Sequence, residues 1–158
     1  TSALTADKII AQQKRCHVNT VQIVDTFPHG EYAKLSKAMP GVALVQVIHV
    51  RGKESIAEAR TVAGYVSAVL LDSGDPTRPV KELGGTGRVH NWPLSRAIVE
   101  ALDIPVFLAG GICAKNVGKA IVQVKPFGVD LCSSVRTDDK LDHKKLRSFF
   151  DAVDAAGT

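Results

Sequence analysis

Apolar positions along the chain fall into two alternating kinds of segment. Short runs rich in Val, Ile and Leu occupy Val21–Val24, Val42–Val50, Ala68–Leu71, Val106–Ala109 and Val129–Cys132. They lack strict apolar–polar alternation, as strands buried on both faces do. Between them apolar residues recur at helical spacing. Ile9, Ile10, Gln13 and Cys16 follow Thr5 as a cap, and Tyr32, Leu35 and Met39 run up to the stop at Pro40-Gly41. Ile56, Ala59 and Ala63 precede Gly64; Leu94, Ala97, Ile98, Ala101 and Leu102 follow Pro93, a residue tolerated in a first helical turn. Val117, Ala120, Ile121 and Val124 make a further helix, and Leu146, Phe149, Phe150 and Val153 the last, with Asp142 as its N-cap.

This alternation predicts five βα units in succession, with Ser2 to Leu4 as the tail of a sixth strand. Regular strand–helix alternation implies an α/β fold with a parallel sheet and right-handed crossovers. An open doubly wound sheet and a closed barrel both fit. A full (β/α)8 barrel usually takes about 200 residues or more, and this chain has 158. No linker or low-complexity stretch divides it, so residues 1–158 read as one domain.

In parallel α/β folds the chemistry lies beyond the carboxyl ends of the strands. Those ends carry Asp25, His49, Asp72, Gly110-Gly111 and Ser133-Ser134. Gly110-Gly111 is read as ending a strand and opening a helix. Glycines let a phosphate approach the backbone, and a helix N-terminus offers N–H donors; a tight turn without ligand fits the same residues. Ser133-Ser134 stand at the equivalent point of the next strand, and two such adjacent ends match a common barrel phosphate site. Asp72 ends the Ala68–Leu71 run as an active-site acid or as a cap of the following loop. Gly84, Gly85 and Gly87 in that loop either permit turns or fold over a ligand. Trp92 reads as a packing anchor. Asp130, placed inside a strand, needs a partner if buried. Cys113 and Cys132 are thiol bases or inert core residues.

Composition narrows the classes. The net charge is +4 with pI near 9.1, but the basic residues are dispersed and aromatics make up only 5%. A nucleic-acid partner is therefore not expected, and an anionic small substrate suits the charge. No run of about 18 apolar residues predicts a membrane span. The first residues, Thr1 to Lys14, carry no apolar signal region, and three widely spaced cysteines give neither a disulfide framework nor a zinc spacing. A reduced, cytoplasmic location is the expectation.

Taken in order, Leu70-Leu71-Asp72-Ser73, Gly84-Gly85-Thr86-Gly87-Arg88, Asn91-Trp92, Leu108-Ala109-Gly110-Gly111-Ile112, Asn116-Val117, Ala120-Ile121 and Gly128-Val129-Asp130-Leu131-Cys132-Ser133-Ser134-Val135 resemble phosphoribosylanthranilate isomerase, a family of tryptophan biosynthesis. The resemblance runs from about Val42 to Phe150 and is looser from Thr20 to Phe27. It implies a (β/α)8 barrel and an Amadori rearrangement of N-(5-phosphoribosyl)anthranilate, with no cofactor and no metal. It implies that Asp72, at the end of the family's sixth strand, is the general acid. Gly110, Gly111, Ser133 and Ser134 would hold the substrate phosphate, and Gly84, Gly85 and Gly87 form a loop beside it.

Departures accompany the likeness. The family's base, a cysteine on its first strand, and its arginine after strand two have no counterpart here. The chain aligns from strand three, so an N-terminally incomplete barrel of about six βα units, strands three to eight, is expected. Asp25 stands where the family usually has His, and Ser134 where its pattern leads into Gly. The chain is then a piece of a longer enzyme or a short paralogue without the base. Open sheet edges are costly unless covered, so self-association into a homo-oligomer is expected. Three functions follow: the isomerase itself, a phosphosugar-binding remnant without turnover, or another phosphosugar isomerase or epimerase barrel drawing on Asp25, His49 and Asp72.

Overall fold

The structure, a computed structural model, describes residues 1–74 and 91–157. Helix α1 (Ala6–Cys16) precedes strand β1 (Thr20–Ile23), and α2 (His29–Ala38) leads to β2 (Ala43–His49). Then come α3 (Glu54–Ala63), β3 (Ala68–Asp72), α4 (Trp92–Ala101), β4 (Val106–Leu108), α5 (Val117–Val124) and β5 (Gly128–Val129). A 3-10 turn over Ser133–Val135, a hairpin of β6 (Arg136–Thr137) and β7 (Lys140–Leu141), and α6 (His143–Gly157) complete the chain.

The five strands β1 to β5 pair in chain order, and every pair is parallel. A doubly wound sheet reverses its strand order at a switch point. Here each crossover moves one strand onward in the same direction, and successive helices α3, α4, α5 and α6 pack side by side. The order is that of a barrel wall, which decides between the two architectures the sequence allows. Ser2 to Leu4 form no strand; the chain start is held to β1 through Thr1 alone. The Thr1 amino group donates to the Gln22 carbonyl at 2.6 Å, and Val24 N–H donates to the Thr1 carbonyl at 2.9 Å.

Strand side chains alternate between two faces. Ile48, Val69, Leu71, Val106 and Leu108 face the helices and join Ile98, Val117 and Val124 in the main core. Leu44, Val21 and Ile23 meet Ile9, Tyr32 and Leu35 in a second core under α1 and α2. The inward face holds a smaller cluster, Val47, Leu70 and Ala109, with Val24, Val45 and Phe107 against it. Gly128 belongs to this face: a Cβ there would meet the Phe107 ring at 2.9 Å. One polar residue, Gln46, lies on the helix side. Its Oε1 accepts the Tyr32 hydroxyl at 2.6 Å, and its Nε2 donates to the Asp25 carbonyl at 2.9 Å.

Several boundaries differ from the sequence expectation. The run Val129–Cys132 is strand only at Val129, because β5 has a single neighbour and its ladder ends with Asp130 N–H on the Leu108 carbonyl. Asp130 therefore lies past the strand, not within it. Thr5 makes no side-chain cap; the Glu31 carboxylate of α2 instead accepts Ala6 N–H at 2.8 Å. Asp142 does cap α6, accepting from Lys144 N–H and Lys145 N–H at 3.0 and 3.1 Å. Asn91 caps α4 through Leu94 N–H. The β6–β7 turn puts Asp138 and Asp139 in the left-handed region that a two-residue hairpin requires. No helix among the described residues is long and apolar enough to cross a membrane.

Candidate active site

The carboxyl ends of β3, β4 and β5 enclose a cavity of about 340 Å³. Register explains why they meet there. His49 is paired with Asp72, while Leu71–Leu108 and Leu108–Val129 pairing places Ala109 and Asp130 in the next positions of the same row. Asp72 follows Leu70 on the inward face, so its carboxyl points over the sheet interior. Ala109, with only a methyl group, leaves the space between Asp72 and Asp130 open. The lining joins Asp72, Gly110, Gly111, Ser133 and Ser134, the residues singled out by the sequence, with Asp130. Gly84, Gly85 and Gly87 lie outside the described residues.

Gly110 and Gly111 adopt φ values of 79° and 66°, a conformation that side-chain-bearing residues rarely take. The pair does not open a helix directly, since α5 begins at Val117. Asn116 fixes the intervening turn. Its Oδ1 accepts Cys113 N–H at 2.8 Å and its Nδ2 donates to the Gly111 carbonyl at 2.9 Å. Asn116 is part of the family resemblance, but its stapling role has no local sequence signal beyond an Asn before an apolar run. Asn116→Ala should weaken binding of inorganic phosphate about tenfold, the loss of roughly one well-placed hydrogen-bonded contact. Titration calorimetry reads that change.

Ser134 supplies a second feature. Its Oγ is buried at the cavity wall and has no hydrogen-bond partner among the described residues. A buried hydroxyl without a partner costs about 1–3 kcal/mol, a cost that an anionic oxygen in the cavity would offset. The described lining carries two carboxyl groups and no basic side chain. An anion here would rest on backbone and hydroxyl donors.

Asp72 is 7% exposed, and its Oδ1 accepts Ser73 N–H at 2.7 Å. Asp130 is solvent-exposed on the open side of β5 and faces Asp72 across Ala109. Desolvation on its cavity side, and then the charge of Asp72, push its carboxyl above the usual carboxylate range. A raised folded-state value means the folded chain binds this proton more tightly than the unfolded chain. Its contribution is then fully present at low pH and is lost as pH rises through the raised value. Asp130→Asn should therefore raise the melting temperature slightly at neutral pH, with the gain disappearing below the ordinary Asp range. Melting curves across that pH series check the sign.

Asp25 is not part of this cavity. It is buried at the end of β1, where Oδ1 accepts Thr26 N–H at 2.8 Å. His49 is buried in the row beside Asp72 but does not line the cavity. Cys113 and Cys132 line it, whereas Cys16 is exposed on α1. Trp92 is 8% exposed and packs in the main core, as an anchor should. Among the described residues no group of three or more His, Cys, Asp or Glu is placed to hold a metal ion.

The family model described as N-(5'phosphoribosyl)anthranilate (PRA) isomerase matches residues 4–152. The isomerase of Methanocella arvoryzae is 33% identical over 150 residues, 94% of this chain and 68% of that protein. That of Haloferax volcanii is 36% identical over 129 residues, 81% of this chain and 57% of its own length. Among solved structures, the isomerase of Thermococcus kodakaraensis superposes with a TM-score of 0.75 at 24% identity, over 96% of this chain and 71% of that one. A phosphoribosyl anthranilate isomerase in complex with reduced 1-(o-carboxyphenylamino)-1-deoxyribulose 5-phosphate gives 0.72 at 21% identity, over 95% and 66%. At these identities the structures establish the barrel-type fold, of which this chain spans about two thirds. With the family model matched over nearly the whole chain, and archaeal relatives a third identical to it, the chain belongs to the N-(5'-phosphoribosyl)anthranilate isomerase family.

Proposed function

We propose that this chain carries the general-acid and phosphate-binding part of a site that isomerises N-(5-phosphoribosyl)anthranilate to the carboxyphenylamino-deoxyribulose phosphate. The observation that carries the reading is one cavity joining Asp72 to the Gly110-Gly111 turn and the unpaired Ser134 hydroxyl. The phosphate rests on that turn and on Ser133 and Ser134. This places the ribose ring toward Asp72. Asp72 Oδ2 delivers its proton to the ring oxygen as the C–O bond opens and the nitrogen lone pair forms an iminium. Loss of a proton from the neighbouring carbon gives the enolamine, which tautomerises to the ketone. No residue is assigned here to that second proton step.

A second reading is a phosphosugar binder without turnover, which the same turns at Gly110-Gly111 and Ser133-Ser134 would serve. Two assays on the chain separate them. The reduced product analogue bound by the related isomerase should bind here under both readings and be displaced by inorganic phosphate. Loss of the anthranilate conjugate's fluorescence at high protein concentration supports the enzyme; binding without that loss supports the binder. Failure of the analogue to bind contradicts both. A homo-oligomer belongs to this proposal, supported by the single-neighbour strand β5 and by Phe127, 71% exposed at that edge.

A further inference from the structure

The cavity offers an anion and an alcohol different partners. The Gly110-Gly111 turn and the hydroxyls of Ser133 and Ser134 line one part of it and supply donors for anionic oxygens. Two carboxyl groups, Asp72 and Asp130, line the other part. Asp72 Oδ1 already accepts Ser73 N–H at 2.7 Å. Asp130 differs: desolvation and the charge of Asp72 act on its carboxyl, and no donor among the described residues offsets them. It is the acceptor of the cavity that the reaction above does not use.

The sheet fixes where that acceptor stands. Leu71 pairs with Leu108 and Leu108 with Val129, so Asp72, Ala109 and Asp130 fall in one row across β3, β4 and β5. Ala109 N–H donates to the Leu71 carbonyl at 2.7 Å and Asp130 N–H to the Leu108 carbonyl at 2.9 Å, which carries the row just past the strand ends. Two strand spacings set the backbones of Asp72 and Asp130 about 10 Å apart. Only the Ala109 methyl stands between them, packed on Val47 and Leu70. The two carboxyls therefore overlook one gap with an apolar floor. A carboxylate repels a phosphate placed beside it, whereas an alcohol O–H needs an acceptor.

We propose that Asp130 is the hydroxyl-binding residue of this site: its carboxyl oxygens accept hydrogen bonds from the sugar hydroxyls of a ligand whose phosphate rests on the glycine and serine turns. Asp130 is thereby a specificity-determining residue. It selects a phosphate monoester of a polyhydroxylated carbon chain over phosphate alone. The inference rests on the phosphosugar reading above and deepens it. Ala109 contributes the space, and the donor turns and the Asp130 acceptor recognise opposite ends of the same ligand.

Calorimetric titration of the whole chain with two probes, the reduced product analogue and inorganic phosphate, tests this. The quantity read is the ratio of the two affinities, which cancels any effect on the phosphate contacts that both probes share. In Asp130→Ala the ratio should fall about tenfold or more, the value of a hydrogen bond to a charged group. Asp130→Asn keeps one acceptor oxygen and should lose less. Inorganic phosphate should bind both variants at least as well as the wild-type chain, because a repelling charge is gone. Asp130 is solvent-exposed past the last ladder bond of β5, so neither substitution removes core packing. A ratio unchanged in Asp130→Ala overturns the proposal, whether the two affinities hold, rise or fall together. Failure of the phosphosugar reading looks different: the wild-type chain then binds neither probe, and the role of Asp130 falls with it. If the wild-type chain binds both and the ratio holds in the variants, only the role of Asp130 falls.

Discussion

Asp72→Asn is expected to lower the rate of isomerisation by about 10²- to 10⁴-fold, the range associated with a positioned general acid. The amide fills the same space and still accepts Ser73 N–H, but it has no proton to deliver to the ring oxygen. On the proposed reading phosphate rests elsewhere in the cavity, on the Gly110-Gly111 turn and the Ser133-Ser134 turn that line it. Binding of inorganic phosphate should therefore remain within about twofold, as expected for a group that acts in the transition state rather than in ground-state binding. Rates by fluorescence and affinities by calorimetry, on the same protein, give both halves of this result. Unchanged turnover would remove Asp72 from the acid's role. A parallel loss of phosphate affinity would show that the carboxylate orders the cavity instead.

The largest effect on stability is expected at Leu108. It is fully buried between the sheet and the helix layer, with β3 and β5 on either side. Leu108→Ala removes packing that a relaxed chain cannot recover, at a cost of about 3–5 kcal/mol. For a chain of this size each kcal/mol shifts the melting temperature by about 2–4 °C, so the midpoint should fall by about 6–20 °C. Circular dichroism melting measures it. Because β4 also carries the turn at Gly110, phosphate affinity should weaken only as far as the folded fraction does. A fall of a degree or less would mean that the sheet–helix core is not packed at this position.

The alternation of strand and helix was legible because β2 and β3 are long apolar runs and the helices have a single apolar stripe. The barrel wall was legible only through the family resemblance, not through the strand and helix pattern. Strand order depends on which way each crossover turns, and no single segment records it. β5 was overextended because an edge strand keeps only the ladder its one neighbour offers. Local sequence points to Thr5 as the cap of α1, whereas the Ala6 N–H is satisfied by Glu31 from another helix. A non-local cap of this kind leaves no mark in the surrounding residues.

The site divides in the same way. That Asp72, Gly110, Gly111, Ser133 and Ser134 line one cavity is legible because each follows an apolar run, and the ends of parallel strands lie along one edge. Asp130 reads from the sequence as part of a strand, and its approach to Asp72 across Ala109 depends on where the β5 ladder ends. Asn116 stands in the sequence only as part of a motif, because its two bonds to the glycine turn depend on how the turn folds back. His49 and Asp72 are 23 positions apart in sequence, and only the β2–β3 register makes them neighbours.

The central claim is that one cavity presents Asp72 to a phosphosugar whose phosphate rests on Gly110, Gly111, Ser133 and Ser134. Calorimetric titration with the reduced product analogue, comparing the wild-type chain with Ser134→Ala, tests it most directly. The wild-type chain should bind the analogue, and loss of the hydroxyl should weaken it by about tenfold or more, the value of a hydrogen bond to a charged group. Equal affinity in the two proteins, or no binding to the wild-type chain, would contradict the account.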